Sequence, residues 1–149
     1  MFIFHEINQN NLVEALDLVK ETFDTSANHY GPEGVYSFYH FIDETNVKKS
    51  LSTGDMVLYG AYTNHSLVGV LGIRQPTHIC LLFVDKNYHR QGIARDLFNN
   101  WKKTLKQPAS ITVNSSPYAI PVYEKLGFSP IKPAQTIDGI TFVPMIAAN

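Results

Sequence analysis

Cysteine is nearly missing from this 149-residue chain, where Cys80 stands alone. An intramolecular disulfide and a cysteine-rich zinc site are thereby excluded. The six histidines are dispersed, with no pair four residues apart to share a helix face, which removes the usual signature of a metal hydrolase. An excess of charge of one sign is lacking too. Twelve Lys and Arg against thirteen Asp and Glu leave a net charge of -1, so no basic field draws a nucleic acid. No run approaches the roughly eighteen consecutive apolar residues of a membrane span, and the first residues lack the basic flank and apolar run of a secretion signal. Neither Gly-x-x-x-x-Gly-Lys-Ser/Thr nor Gly-x-Gly-x-x-Gly occurs, so the common nucleotide-binding fingerprints are absent. These absences predict a soluble cytoplasmic protein without a metal, and with neither nucleic acid nor membrane as partner. A homodimer stays open.

What is present is an ordinary globular composition, 44% hydrophobic and 17% charged. At this length a domain buries roughly two thirds of its unfolded surface, and no repeat or linker divides the chain, so residues 1–149 read as one domain. Residues 2–7 have strand character, and the Asn-rich residues 8–11 can cap the helix in which Leu12, Leu16, Val19 and Phe23 recur at helical spacing. Residues 30–53 carry a loose helical pattern opened by Gly31-Pro32, crowded by Tyr36, Phe38, Tyr39 and Phe41, and ended by Gly54. Residues 56–62, 67–73 and 78–84 predict three consecutive antiparallel strands, the first two joined by a polar turn. Ile93, Leu97, Phe98, Trp101 and Leu105 form the apolar stripe of a helix packed on the sheet. The short strand 111–113 returns across that helix, which implies parallel pairing with 78–84. A further helix starts at Ser116-Pro117, or nearer Ala119 because Pro121 fits early turns poorly, and Gly127 stops it. Residues 128–137 and 140–145 flank the hairpin signal Asp138-Gly139. The predicted order is β, helices, βββ, α, β, α, ββ, an α/β chain of the α+β type.

The chemistry concentrates at His89-Arg90-Gln91-Gly92-Ile93-Ala94, between an apolar strand and an amphipathic helix. Backbone N–H groups at a helix start carry partial positive charge and seat an anion. Small residues at Gly92 and Ala94 let a pyrophosphate approach the main chain, while Arg90 and Arg95 add charge at the rim. The same residues also suit a helix that merely packs closely on its sheet.

The longer stretch from Leu82-Phe83-Val84-Asp85 through Ala94 resembles the central motif of the GNAT superfamily. Asn114-Ser115-Ser116, followed by Val122-Tyr123-Glu124-Lys125-Leu126-Gly127-Phe128, is similar to that family's second motif at the usual distance. The matches cover roughly the C-terminal half. One departure is His89, where the family usually has Gln or Arg; backbone recognition survives it, and an imidazole near pyrophosphate gains attraction when protonated. The resemblance implies a mixed, mostly antiparallel central sheet of six to seven strands flanked by helices, with a V-shaped opening between the fourth and fifth strands. It implies acetyl-CoA as cosubstrate and an amine as acceptor, with no metal. The phosphates would lie on the backbone of His89, Arg90, Gln91, Gly92, Ile93, Ala94 and Arg95, and the pantetheine arm would pair with main-chain groups of Leu82, Phe83 and Val84. Asn114 would touch the arm, or else form an Asx turn into the next helix.

The resemblance also implies a role for Tyr123, as donor of a proton to the departing thiolate. An aromatic packing residue between Ile120 and Leu126 is the other reading. A primary amine, with a pKa of about 10.4, must shed a proton before attack. His78, near the place where some relatives carry a carboxylate, is the candidate base or a structural strand histidine; Asp85, Glu33 and His29 lack support from spacing. Tyr30, Tyr36, Phe38, Tyr39 and Phe41 would form the acceptor wall, unless Tyr36 and Tyr39 simply pack on the sheet. A non-catalytic acyl-CoA-binding module would use the same cleft.

Overall fold

The structure, a computed structural model, describes residues 1–148, the side chain of Asn28 excepted. Strand β1 (Ile3–Ile7) leads into a short 3-10 turn capped by Asn8, whose Oδ1 accepts from the N–H of Asn10 at 2.9 Å. Helix α1 (Leu12–Asp24) follows and buries Leu12, Leu16, Val19 and Phe23, the predicted stripe. Helices α2 (Pro32–Phe41) and α3 (Glu44–Thr53) come next. Strands β2 (Met56–Thr63), β3 (Ser66–Arg74) and β4 (His78–Val84) run antiparallel. Helix α4 (Ile93–Lys102) crosses to β5 (Ser110–Ser115), which lies parallel to β4 as expected. Helix α5 (Ile120–Lys125) precedes β6 (Ser129–Pro130), β7 (Gln135–Ile137) and β8 (Ile140–Ala148).

The sheet order is β1-β2-β3-β4-β5-β8-β6, with β7 also on β8. Its two faces carry separate cores. Ile79, Val113, Met145 and the stripe Ile93, Leu97, Phe98 and Trp101 gather on the α4–α5 face, whereas Leu58, Val70 and Leu81 meet α1 and Val47 on the other. A sheet covered on both sides reads as near-continuous apolar strands, which is why β3 is buried from Leu67 to Ile73.

Two predicted elements divide. Residues 30–53 are not one helix, because Asp43 stops α2 and its carboxylate then accepts from the N–H groups of Thr45 and Asn46 to start α3. Residues 128–137 are not one strand either. Pro130 and Pro133 supply no N–H, so the segment touches β8 twice, at Ser129↔Ile146 and again at Gln135↔Phe142. The sheet consequently has eight strands. Asp138 and Gly139, both left-handed at φ 52° and 78°, make the predicted turn into β8.

Candidate active site at the β4–β5 opening

The opening arises from one extra residue. Leu81 lies opposite Gly72 and Ile79 opposite Ile73, so Cys80 bulges out of the β3–β4 ladder. Past that bulge β4 leaves β5: they pair only at His78↔Thr112 and Ile79↔Val113. Strand β5 cannot follow, since β8 holds it from Ser110 to Ser115. The edge of Leu82, Phe83 and Val84 that faces β5 therefore has no strand partner among the described residues, and such an edge is a template for an extended ligand.

At the end of β4 the chain turns through a loop that exposes its N–H groups. Asp85 caps a short 3-10 turn by accepting from the N–H of Asn87 at 2.8 Å, so its carboxylate is engaged rather than poised as a base. The His89 ring folds back, with Nε2 at 2.8 Å from the Val84 carbonyl. A carbonyl only accepts, so Nε2 carries the proton. Arg90 and Gly92 both take left-handed conformations, φ 66° and 79°, and Gly92 is the N-cap of α4. Among the described residues no acceptor meets the N–H groups of Gly92, Ile93, Ala94 or Arg95. Four free donors at a helix start, with small side chains at Gly92 and Ala94, fit a pyrophosphate. Arg95 is paired with Asp96 at 3.2 Å, and Arg90 and Gln91 are exposed beside the same donors.

Tyr123 lies on α5 in the core of the α4–α5 face. Only 8% of it is exposed, its ring meets Phe128 edge-on at 5.6 Å, and its hydroxyl has no hydrogen bond among the described residues. Burial raises its pKa, and Cys80 and Tyr118 act in the same direction. Burial also pushes the Cys80 thiol up to about 11, so it stays protonated. Asn114 is exposed on β5 opposite Pro144 and forms no Asx turn among the described residues. His78 sits at the closed end of the opening, with Nδ1 at 2.8 Å from Thr112 Oγ1. Burial first, then Arg74, lowers its pKa, which keeps the imidazole neutral.

Facing this opening, the connection from α1 to α2 is tied to the turn before α5. Tyr118 donates to Ser26 Oγ at 2.9 Å, and its ring lies 5.2 Å from that of His29. Tyr30 stacks on Phe23 at 5.3 Å, and burial and then Tyr118 push its phenol up to about 12. Helix α2 rests on the β7–β8 turn, where Ser37 donates to the Asp138 carbonyl at 2.7 Å. Phe38 stacks on Phe23 and tilts toward Phe83 of β4 at 5.7 Å. Tyr36 does not pack on the sheet: it is 73% exposed, with its ring stacked near that of His40. Tyr39 is half-buried, edge-on to Phe23 at 6.1 Å, and donates a hydrogen bond to Asp24 under the Lys20 ammonium. The sequence reading missed Ser26 and Tyr118; Ser115, within the second motif, is fully buried with its hydroxyl donating to the Ser116 carbonyl at 2.8 Å. Tyr118 meets a residue 92 positions away, so no local pattern announces it.

The model of the acetyltransferase (GNAT) domain matches residues 26–148. An uncharacterized N-acetyltransferase of Escherichia coli K12, YafP, is 33% identical over 108 residues, 72% of this chain and 67% of that protein. Among solved structures, the PaiA N-acetyltransferase of Thermoplasma acidophilum in complex with coenzyme A superposes with a TM-score of 0.77 at 16% identity, over 100% of this chain and 99% of that one. A GCN5-related N-acetyltransferase of Rhodopseudomonas palustris gives a TM-score of 0.79, also at 16% identity, over 99% and 95% of the two chains. The chain belongs to the GNAT acetyltransferase family, and its general chemistry is acyl transfer.

Proposed function

We propose that the protein moves an acetyl group from acetyl-CoA to a primary amine by direct attack within the β4–β5 opening. The observation that carries this reading is the junction of an unpartnered β4 edge with the free N–H groups of Gly92 to Arg95, the two donor sets that a pantetheine arm and its pyrophosphate need. The thioester supplies an activated acyl carbon. Main-chain groups of Leu82 and Phe83 orient the arm, whereas the Val84 carbonyl already accepts from His89. An N–H near the end of β4 would meet negative charge on the acyl oxygen, the interaction that generally contributes most in acyl transfer. Tyr123 would deliver a proton to the departing sulfur, and a hydroxyl that makes no hydrogen bond among the described residues supports that role. Asn114, exposed on the opposite strand, contacts the arm. His78 is the groups' candidate base: its lowered pKa favours a neutral imidazole.

The test is a screen of primary amines, peptide N-termini and protein lysines that follows release of the CoA thiol, beside calorimetry of CoA binding. Amine-dependent thiol release with saturable CoA binding is expected. CoA binding without turnover of any acceptor would instead identify a binding module.

A further inference from the structure

Strand pairing sets one row of side chains across the sheet at the closed end of the opening. Arg74 of β3 lies opposite His78 of β4, His78 pairs with Thr112 of β5, and Thr112 lies opposite Ile146 of β8. Their neighbours Ile73, Ile79, Val113 and Met145 all belong to the core beneath α4 and α5. Side chains alternate along a strand, so the row faces the other way, toward the side of α1 to α3. Phe41, at the end of α2, packs on the α1-side core, and the Arg74 guanidinium lies 5.6 Å from its ring centroid. Cys80, at the bulge where β4 leaves β5, packs on that same core. Asn114 and Pro144 stand opposite each other one step nearer the opening on the same face.

This floor carries charge of one sign. His78 is tied to Thr112 at 2.8 Å and kept neutral, and no carboxylate occurs in either row. Arg74 is exposed, and its guanidinium makes neither an ion pair nor a side-chain hydrogen bond among the described residues. The Phe41 ring holds a guanidinium without neutralising it, so its N–H donors remain free for a planar anion, which they bind as a fork. From His78 to Cys80 is about 7 Å along β4, and Arg74 is displaced by one strand spacing, about 5 Å. A cation at that remove from the bulge suits an acceptor whose amine and carboxylate are joined by a short chain.

We propose that the acceptor is a small aminocarboxylate, its carboxylate held by Arg74 while its amine faces the acyl carbon near Cys80. The inference rests on the acyl-transfer reading above and selects one class among its amines. A protein lysine or the N-terminus of a long peptide brings no main-chain carboxylate at that distance, and a polyamine brings a second cation against Arg74. The contact is made alike before and during transfer, so it contributes to binding rather than to the chemical step.

The probes are the proteinogenic amino acids, β-alanine and γ-aminobutyrate, each beside its carboxamide, with acetyl-CoA and thiol release as the readout. At least one aminocarboxylate should show kcat/KM about tenfold or more above its carboxamide, as loss of an ionic hydrogen-bonded contact requires. Arg74→Met should lower kcat/KM for that acid by about tenfold or more, mainly through KM, while the carboxamide changes by less than about twofold. CoA affinity should stay the same. Arg74→Lys keeps the charge but loses the fork, so the preference for the acid should shrink without vanishing. Carboxamides used as well as acids by the wild type, or equal losses for acid and carboxamide in Arg74→Met, would overturn the assignment. Should Arg74→Met not fold, an undiminished preference in Arg74→Lys would overturn it too. If other amines turn over and no aminocarboxylate does, this inference fails alone; if no amine turns over, the reading beneath it fails as well.

Discussion

At the residue scale, Tyr123 is a buried phenol with a raised pKa whose hydroxyl makes no hydrogen bond among the described residues. Tyr123→Phe keeps the edge-on contact with Phe128, so folding and CoA affinity should survive. The rate should fall by about 10²-fold, the usual worth of a general acid, read as kcat at an unchanged CoA dissociation constant. An unaltered kcat with chemistry limiting would make this residue packing only. His78 makes a different kind of prediction. Its folded pKa lies below the unfolded value of about 6.5, so just below that pH the unfolded chain binds more protons than the folded one. Stability is then full above the unfolded value and declines as pH falls below it. His78→Gln should flatten that decline in denaturant titrations between pH 7 and 5. A slope identical to wild type would show that the imidazole is not held neutral by the fold.

At the scale of elements, the start of α4 is the feature most exposed to a single change. Gly92 takes φ +79°, and a Cβ there would lie 2.5 Å from the Arg95 guanidinium. Gly92→Glu adds backbone strain, bulk and negative charge beside the free N–H groups, and CoA binding should be lost in calorimetry while circular dichroism stays folded. Gly31→Ala is a fitting control, since nothing lies within 4 Å of its added Cβ. Equal CoA affinity in Gly92→Glu and wild type would remove the phosphate seat from this loop. Gly139 is no such control: a Cβ there would lie 2.5 Å from the Gly34 nitrogen. The reciprocal contact fixes α2 on the β7–β8 turn, because a Cβ on Gly34 would lie 2.5 Å from the Gly139 carbonyl oxygen. Alanine is favoured over glycine in a helix by roughly 1 kcal/mol, but overpacking against backbone costs about 1–3 kcal/mol. Gly34→Ala should therefore lower the unfolding midpoint. A raised midpoint would mean that the turn yields freely.

At the scale of the whole molecule, cofactor and acceptor functions are expected to separate while their structures interleave. The features proposed to hold CoA all lie after Leu81, and the proposed acceptor wall would be built from the α1–α2 connection, α2, the turn before α5 and the β7–β8 turn, which touch one another. Tyr30→Phe should change acceptor kinetics and spare CoA affinity, whereas Tyr36→Ala, on an exposed face, should change neither. A loss of CoA affinity in Tyr30→Phe as large as that in a loop variant would refute the division. CoA binding to the folded state alone should also stabilise the entire domain. At a hundredfold excess over Kd the gain is about 2.7 kcal/mol, or a rise in Tm of roughly 5–10 °C for a chain of this size. No shift under those conditions would argue against CoA as the ligand.

The sequence by itself determined what repeats locally. The stripe of α4, the caps and glycine stops, the Asp138-Gly139 turn and the loop with Gly92 are written in spacings of two to four residues, where local geometry acts directly. Strands β2, β3 and β4 were legible for the same reason, as apolar runs between turn residues. Only the tertiary structure decided the rest. The width of the opening depends on Cys80 dropping out of register with β3 while β8 restrains β5, a competition between two pairings that no single strand encodes. Tyr36 and Tyr39 share a helix and a residue type, yet α2, held by the Gly34–Gly139 contact, exposes Tyr36 and keeps Tyr39 half-buried edge-on to Phe23. Tyr118 and Ser26 meet across 92 residues, and a contact of that separation exists only once the whole sheet is assembled, because the chain between them must first be folded into place.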